Sequence, residues 1–226
     1  MALHDGHRER LRGMFLENGL DGMTDIQALE LLLTYAIARK DVNPLAHDLL
    51  NRFGSLPGVL DADPAELQKV PGVGEHTAAL IALLPQLMRR YGIRKNETGV
   101  ILKTTEEIGR YLMPYFFGAN DEKVCLLCLD AKCKVLDCRV LCSGNVNAVA
   151  VNVRKILEEA LRHNASTAVL AHNHVAGVAL PSREDLDTTK QVFNALEPIG
   201  VILTDHLIFA GNDYVSLADS GFFDRF

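Results

Sequence analysis

The chain has 226 residues, of which 48% are hydrophobic and 23% charged, and a formal net charge of −6. That is room for one full core, or for a small domain and a medium one, with the composition of an ordinary globular protein. The acidic balance argues against a protein whose whole surface grips nucleic acid, and no apolar run reaches the roughly 18 residues that a membrane helix needs. The polar, basic start MALHDGHRERL lacks the apolar stretch of a secretory signal, so a cytoplasmic location is expected. The five cysteines, Cys125, Cys128, Cys133, Cys138 and Cys142, fall within 18 residues of one another. A disulfide framework would spread them along the chain, so reduced thiols are expected.

In chain order, residues 5–17 read as a helix with Arg8, Arg10 and Arg12 clustered on it. Thr24 or Asp25 caps IQALELLLTYAI, whose Ile26, Leu29, Leu32, Leu33 and Ile37 repeat at helical spacing. Asn43-Pro44 opens LAHDLLNRF, which Gly54 ends. Asp63-Pro64 opens PAELQKV, and Pro71-Gly72-Val73-Gly74 separates it from EHTAALIALLPQLMRRY, where Pro85 predicts a kink. Residues 1–92 thus form a small helical domain. The polar GIRKNETG breaks the pattern, which puts a linker at 93–99 and a second domain at 100–226. Charge changes too: residues 1–95 carry 11 basic and 12 acidic side chains, residues 96–226 carry 12 and 17.

The second domain has a different texture. A helix, TEEIGRYLMPYF, precedes two short β-rich runs, KVCLLCLD and KVLDCRVLC. AVAVNVRKILEEALRHN reads as a helix, STAVLA as a short apolar strand and SREDLDTTKQVFNALEPI as an amphipathic helix. GVILTDHLIFA and DYVSL are strands again. Strands mixed with helices predict an α/β (α+β) domain with a mixed sheet flanked by helices.

The chemical signal is AHNHVAGVALPSRED. His172 and His174, two apart at a strand end, share a face and can reach one metal ion. Asp185, in the first turn of the following helix, can supply an oxygen. Two histidines and one carboxylate leave a fourth position open for water, as in catalytic rather than structural zinc sites. The same donor set also accepts iron, cobalt or manganese. Ser182 and Asp185 also read as a capping box, and the two readings coexist if the cap holds the ligand. Cys125 and Cys128, three apart on a strand, point to opposite faces and do not share a metal. Asp205-His206, in an apolar strand, reads as a satisfied core histidine or as a partner behind a metal-bound imidazole. In Pro71-Gly72-Val73-Gly74 the glycines let backbone approach a phosphate near a helix N-terminus, a contact indifferent to DNA sequence. The alternative is a plain inter-helix turn.

The spacing His-x-His, seven residues, Ser-x-x-Asp resembles the JAMM (MPN-type) metalloprotease motif. The text around it, SGNVNAVAVNVRKILEEALRHNASTAVLAHNH and ILTDHLIFAG, resembles the bacterial RadC family, over most of the chain from HDGHRERLR onward. The resemblance implies zinc held by His172, His174 and Asp185, with Glu122 as general base and Ser182 as hydrogen-bond donor to the oxyanion or the water. It implies amide or isopeptide hydrolysis of a peptide substrate, a helix-hairpin-helix in the first domain with weak DNA contact at Gly72 and Gly74, and a traditional link to DNA repair. The family's HNHPSG reads His172-Asn173-His174-Val175-Ala176-Gly177 here, and Val153 stands where the family commonly has proline. No ligand is lost by either change. Two other functions fit the same residues: a DNA-associated binding protein with non-catalytic zinc, and a zinc-dependent nuclease.

Overall fold

A computed structural model of the chain describes residues 5–95, 98–144, 152–175 and 178–225. The chain divides into two compact units, Met1–Leu87 and Met88–Phe226. No helix among the described residues is long and apolar enough to cross a membrane.

The first unit is helical: α1 (Asp5–Asn18), α2 (Asp25–Ala36), α3 (Asn43–Phe53), α4 (Leu56–Leu60), α5 (Pro64–Leu67) and the start of α6 (Glu75–Lys95). Thr24 caps α2 reciprocally with Gln27, and Gly54 ends α3 with φ 82°, a backbone angle that glycine adopts without strain. Helix α4 was not foreseen, because five residues with a proline and a glycine are too short to show a period. Leu29, Leu33, Leu49, Val59, Leu67 and Ile81 meet in a sealed core. Between α5 and α6 the turn drives Val73 into that core while Gly72, at φ 98°, and Gly74 stay exposed. Arg8 is not free for phosphate. Its guanidinium donates to the carbonyls of Thr34, Ile37 and Lys40 at 3.3, 2.9 and 2.5 Å and so closes the end of α2.

Helix α6 continues through Gly92, so residues 93–95, expected in a linker, form its last turn. Gly92 serves close approach here: a Cβ on it would stand 2.8 Å from Pro114 Cβ of α7 (Thr105–Phe116). Asn96 and Glu97 lie outside the described residues.

The second unit is a five-stranded sheet in the order β2-β1-β3-β4-β5. Its strands are β1 (Glu122–Leu129), β2 (Val135–Gly144), β3 (Thr167–Asn173), β4 (Ile202–Ala210) and β5 (Asp213–Ser216). Only β3 and β4 pair in parallel, joined through α9 (Arg183–Leu196). One face carries α7, packed on Cys125, Leu127, Leu129, Val169, Ala171, Leu207 and Phe209. The other carries α8 (Val153–Arg162) and α9, packed on Val124, Leu126, Cys128, Ala168, Leu170 and Leu203. Strand β1 is thus buried on both sides, and Cys125 and Cys128 lie on opposite faces as their spacing predicts. Residues 145–151, the start of the expected helix AVAVNVRKILEEALRHN, lie outside the described residues.

Strand β4 breaks its own alternation. Leu203 packs with the α8–α9 face, whereas Leu207 and Phe209 pack with the α7 face, although all three are odd-numbered. A bulge resolves this: Ala168 pairs with Leu203 and Val169 with Asp205, leaving Thr204 as the extra residue. Beyond it Asp205 faces away from α9 and His206 faces toward it.

Candidate metal centre

The cluster stands at the C-terminal ends of the parallel strands β3 and β4, beside the N-terminus of α9. That crevice is where open sheets commonly gather ligands. His172 pairs with Val124 and shares its face, the face that α9 covers. One residue past β3, the His174 amide donates to the Phe209 carbonyl at 2.8 Å and continues the ladder. Asp185 enters from the third position of α9. Its Oδ2 accepts from the Ser182 amide and hydroxyl, both at 2.7 Å, while the Ser182 Oγ accepts from the Asp185 amide at 3.1 Å. The helix cap therefore aims the carboxylate, and the Ser182 proton is committed to it.

Two imidazole nitrogens and one carboxylate converge. His172 Nε2 lies 3.0 Å from His174 Nε2 and 3.0 Å from Asp185 Oδ1, and His174 Nε2 lies 3.3 Å from Asp185 Oδ2. Zinc bonds of about 2.0–2.1 Å at tetrahedral angles give ligand separations of about 3.3–3.4 Å, close to each of these pairwise distances. Two imidazole lone pairs and a carboxylate facing inward repel unless a cation lies among them, so the donor set fits a divalent metal. His172 is buried while His174 and Asp185 are partly exposed, leaving one side reachable from solvent. Burial alone would raise the Asp185 carboxyl. The neighbouring His172 and the two Ser182 hydrogen bonds outweigh it and hold the group well below the usual carboxylate range.

Behind His172 stands His206, not Asp205. His206 Nε2 lies 2.8 Å from His172 Nδ1, and its Nδ1 lies 2.6 Å from the Thr189 hydroxyl. Burial first, and then the neighbouring His172, hold His206 well below the ordinary histidine value, so it is neutral. Asp205 is spent elsewhere: it accepts from Ser216 Oγ at 2.6 Å and from the Ala218 amide at 2.9 Å, fastening β5 and the turn after it.

Glu122 opens β1 at the same end of the sheet. Burial pushes its carboxyl up and Asp185 adds to the rise, while His174 and His172 pull it down. Its backbone is held by a residue the sequence reading passed over. Buried Asn173, between the two histidines, accepts from the Lys123 amide at 2.7 Å and donates to the Asp121 carbonyl at 3.2 Å. The signal was present as an amide side chain between the two histidines at the end of β3. Val175 is exposed, and Ala176 and Gly177 of the altered loop lie outside the described residues. Gly72 and Gly74 belong to the first unit.

A second cluster among the described residues, Asp137, Glu159 and His163, also has the donor types for a metal. Its carboxylates are already paired with guanidiniums: Arg139 Nε lies 3.1 Å from Asp137 and 3.6 Å from Glu159, and Arg162 lies 3.3 Å from Glu159. An apolar cavity of about 430 Å³ beside Met113, Pro114 and Tyr214 shares no lining residue with either cluster. Chemistry rather than volume marks the candidate site.

Residues 102–222 match a RadC-like JAB domain, and residues 55–83 match a helix-hairpin-helix motif. The chain is 32% identical over 227 residues to a UPF0758 protein of Fusobacterium nucleatum, covering 96% of this chain and 97% of that one. It is 37% identical over 217 residues to a UPF0758 protein of Bordetella bronchiseptica, covering 96% and 95%.

Proposed function

The chain belongs to the RadC family, and from that premise we propose that it hydrolyses amide or isopeptide bonds with zinc held by His172, His174 and Asp185. The observation that carries this reading is the convergence of the two histidine Nε2 atoms on each other and on the Asp185 carboxylate, at 3.0, 3.0 and 3.3 Å between nearest atoms. Bound there, zinc would supply a Lewis acid that polarises a carbonyl and makes water acidic near neutral pH.

The protein's own groups do the rest. Glu122 takes a proton from the attacking water and hands it to the leaving amine, and its raised carboxyl suits a group that must both accept and return a proton. Asn173, between the two histidine ligands, holds the backbone on either side of Glu122. Ser182 orients Asp185, and its hydroxyl reaches an oxyanion only by giving up the bond to Oδ2.

The test begins with elemental analysis of purified protein, followed by hydrolysis of lysine-linked isopeptides by wild type and Glu122→Gln. About one zinc per chain, with hydrolysis that falls about 10²–10⁴-fold in Glu122→Gln while zinc stays, is the expected result. A wild type that takes up no zinc even when supplied would sink the reading. Zinc uptake with DNA cleavage that requires Asp185 would replace the peptide substrate with a phosphodiester.

For the first unit we propose weak, sequence-independent DNA contact through the exposed turn at Gly72 and Gly74. The loss of Arg8 to backbone carbonyls and the near-neutral charge keep that contact weak. Duplex affinity should fall with salt and ignore zinc; affinity that survives high salt would contradict it.

A further inference from the structure

We propose that Thr189 is a positioning residue for the metal centre: its hydroxyl sets the tautomer of His206, which sets His172 with its Nε2 lone pair facing Asp185. The proposal rests on the metal-site reading above and adds a residue that the ligand motif does not contain.

Four contacts form a closed ring. Thr189 Oγ1 lies 2.6 Å from the Asp185 carbonyl oxygen and 2.6 Å from His206 Nδ1, His206 Nε2 lies 2.8 Å from His172 Nδ1, and His172 Nε2 lies 3.0 Å from Asp185 Oδ1. The ring leaves the Asp185 backbone and returns to the Asp185 side chain. Each contact needs one proton, and the neutral side chains bring three: the Thr189 hydroxyl proton and one N–H on each histidine.

The contact between two oxygens decides where they go. Two oxygens 2.6 Å apart repel unless a proton lies between them, and the Asp185 carbonyl has none to give. Thr189 therefore donates to that carbonyl. Its oxygen then accepts from His206 Nδ1, which leaves His206 Nε2 as an acceptor. His172 must donate from Nδ1, and its Nε2 is a bare lone pair. The one contact without a proton is His172 Nε2 to Asp185 Oδ1, the longest of the four and the place where the ligands face each other. Reversing the chain would put a proton on His172 Nε2 and block coordination, at the expense of two oxygens in unprotonated contact.

Helix α9 thus acts on the site twice. Asp185 contributes a ligand, and Thr189, one turn later on the same face, fixes the form of a ligand on another strand. Outer partners of metal-bound histidines hold ring orientation and tautomer in this way. Here the partner is a histidine that needs a partner of its own.

The experiment compares wild type, Thr189→Val and Thr189→Ser by zinc competition against a chelator, and reads imidazole tautomers by ¹⁵N NMR. In the wild type His206 should carry its proton on Nδ1, with or without zinc. Thr189→Val should bind zinc about 10–100-fold more weakly and lose the single His206 tautomer, and Thr189→Ser should restore both. Wild-type zinc affinity in Thr189→Val, or His206 protonated on Nε2 in the wild type, would overturn the proposal. The second readout needs only the wild type, so it decides even where Thr189→Val fails to fold. A wild type that binds no zinc would count against the metal reading alone, since the His206 tautomer still tests the relay.

Discussion

Two clusters of histidine and carboxylate stand at opposite ends of one sheet face. His172, His174 and Asp185 gather where Val124 pairs with His172, and Asp137, Glu159 and His163 gather where Cys128 pairs with Asp137. Both offer the donor types a divalent ion takes, and both have a face covered by helices. They differ in how charge is balanced. The Asp185 carboxylate is met by two imidazoles, whereas Asp137 and Glu159 are met by Arg139 and Arg162 in addition to the His163 imidazole. A guanidinium is a permanent cation that cannot give way to a metal by losing a proton. An imidazole can, and the Thr189–His206 pair favours the form that does. Nearness of ligand types therefore separates the two clusters less well than the identity of their counter-charges.

The sharpest way to break that contrast is to exchange the histidines. His174→Ala should lose the bound zinc, since it leaves two protein ligands where a catalytic zinc site keeps three. His163→Ala should keep one zinc per chain by elemental analysis. Zinc lost from both variants, or retained by both, would erase the distinction. A smaller effect is expected from Glu159→Gln. It removes a buried charge from a network whose arginines remain half exposed, so urea unfolding should report about 1–3 kcal/mol of lost stability with zinc content unchanged. The smallest is Ser182→Ala. Loss of the α9 cap should lower the stability of the metal-free protein by about 1 kcal/mol in thermal unfolding. If Ser182→Ala also weakens zinc, the cap aims the ligand as well as closing the helix.

Much of this was legible in the sequence, because local rules act locally. Thr24 and Ser182 cap where their spacing says they should. Cys125 and Cys128 part company across β1, and the residues of the His-x-His…Ser-x-x-Asp spacing come together in space. What stayed hidden depended on partners remote in the chain. Gly92 reads as a helix breaker until Pro114 lies against it. Thr189 reads as an ordinary helix residue until His206 arrives from β4. Arg8 joins a basic cluster on paper and a helix end in space. Strict alternation from Leu203 would point Asp205 at the metal, yet the bulge turns His206 there instead.

That bulge also bears on how the chain tolerates changes of length. Thr204 is exposed and stands outside the one-to-one pairing of β3 with β4. Removing its codon would restore plain alternation from Leu203 to Asp205 and leave both side chains on the faces they now occupy. Removing any codon between Asp205 and Phe209 would instead reverse the faces on one side of the cut. Descent can therefore lose the residue at position 204 and keep the metal centre, while the same event a step further along β4 would dismantle it.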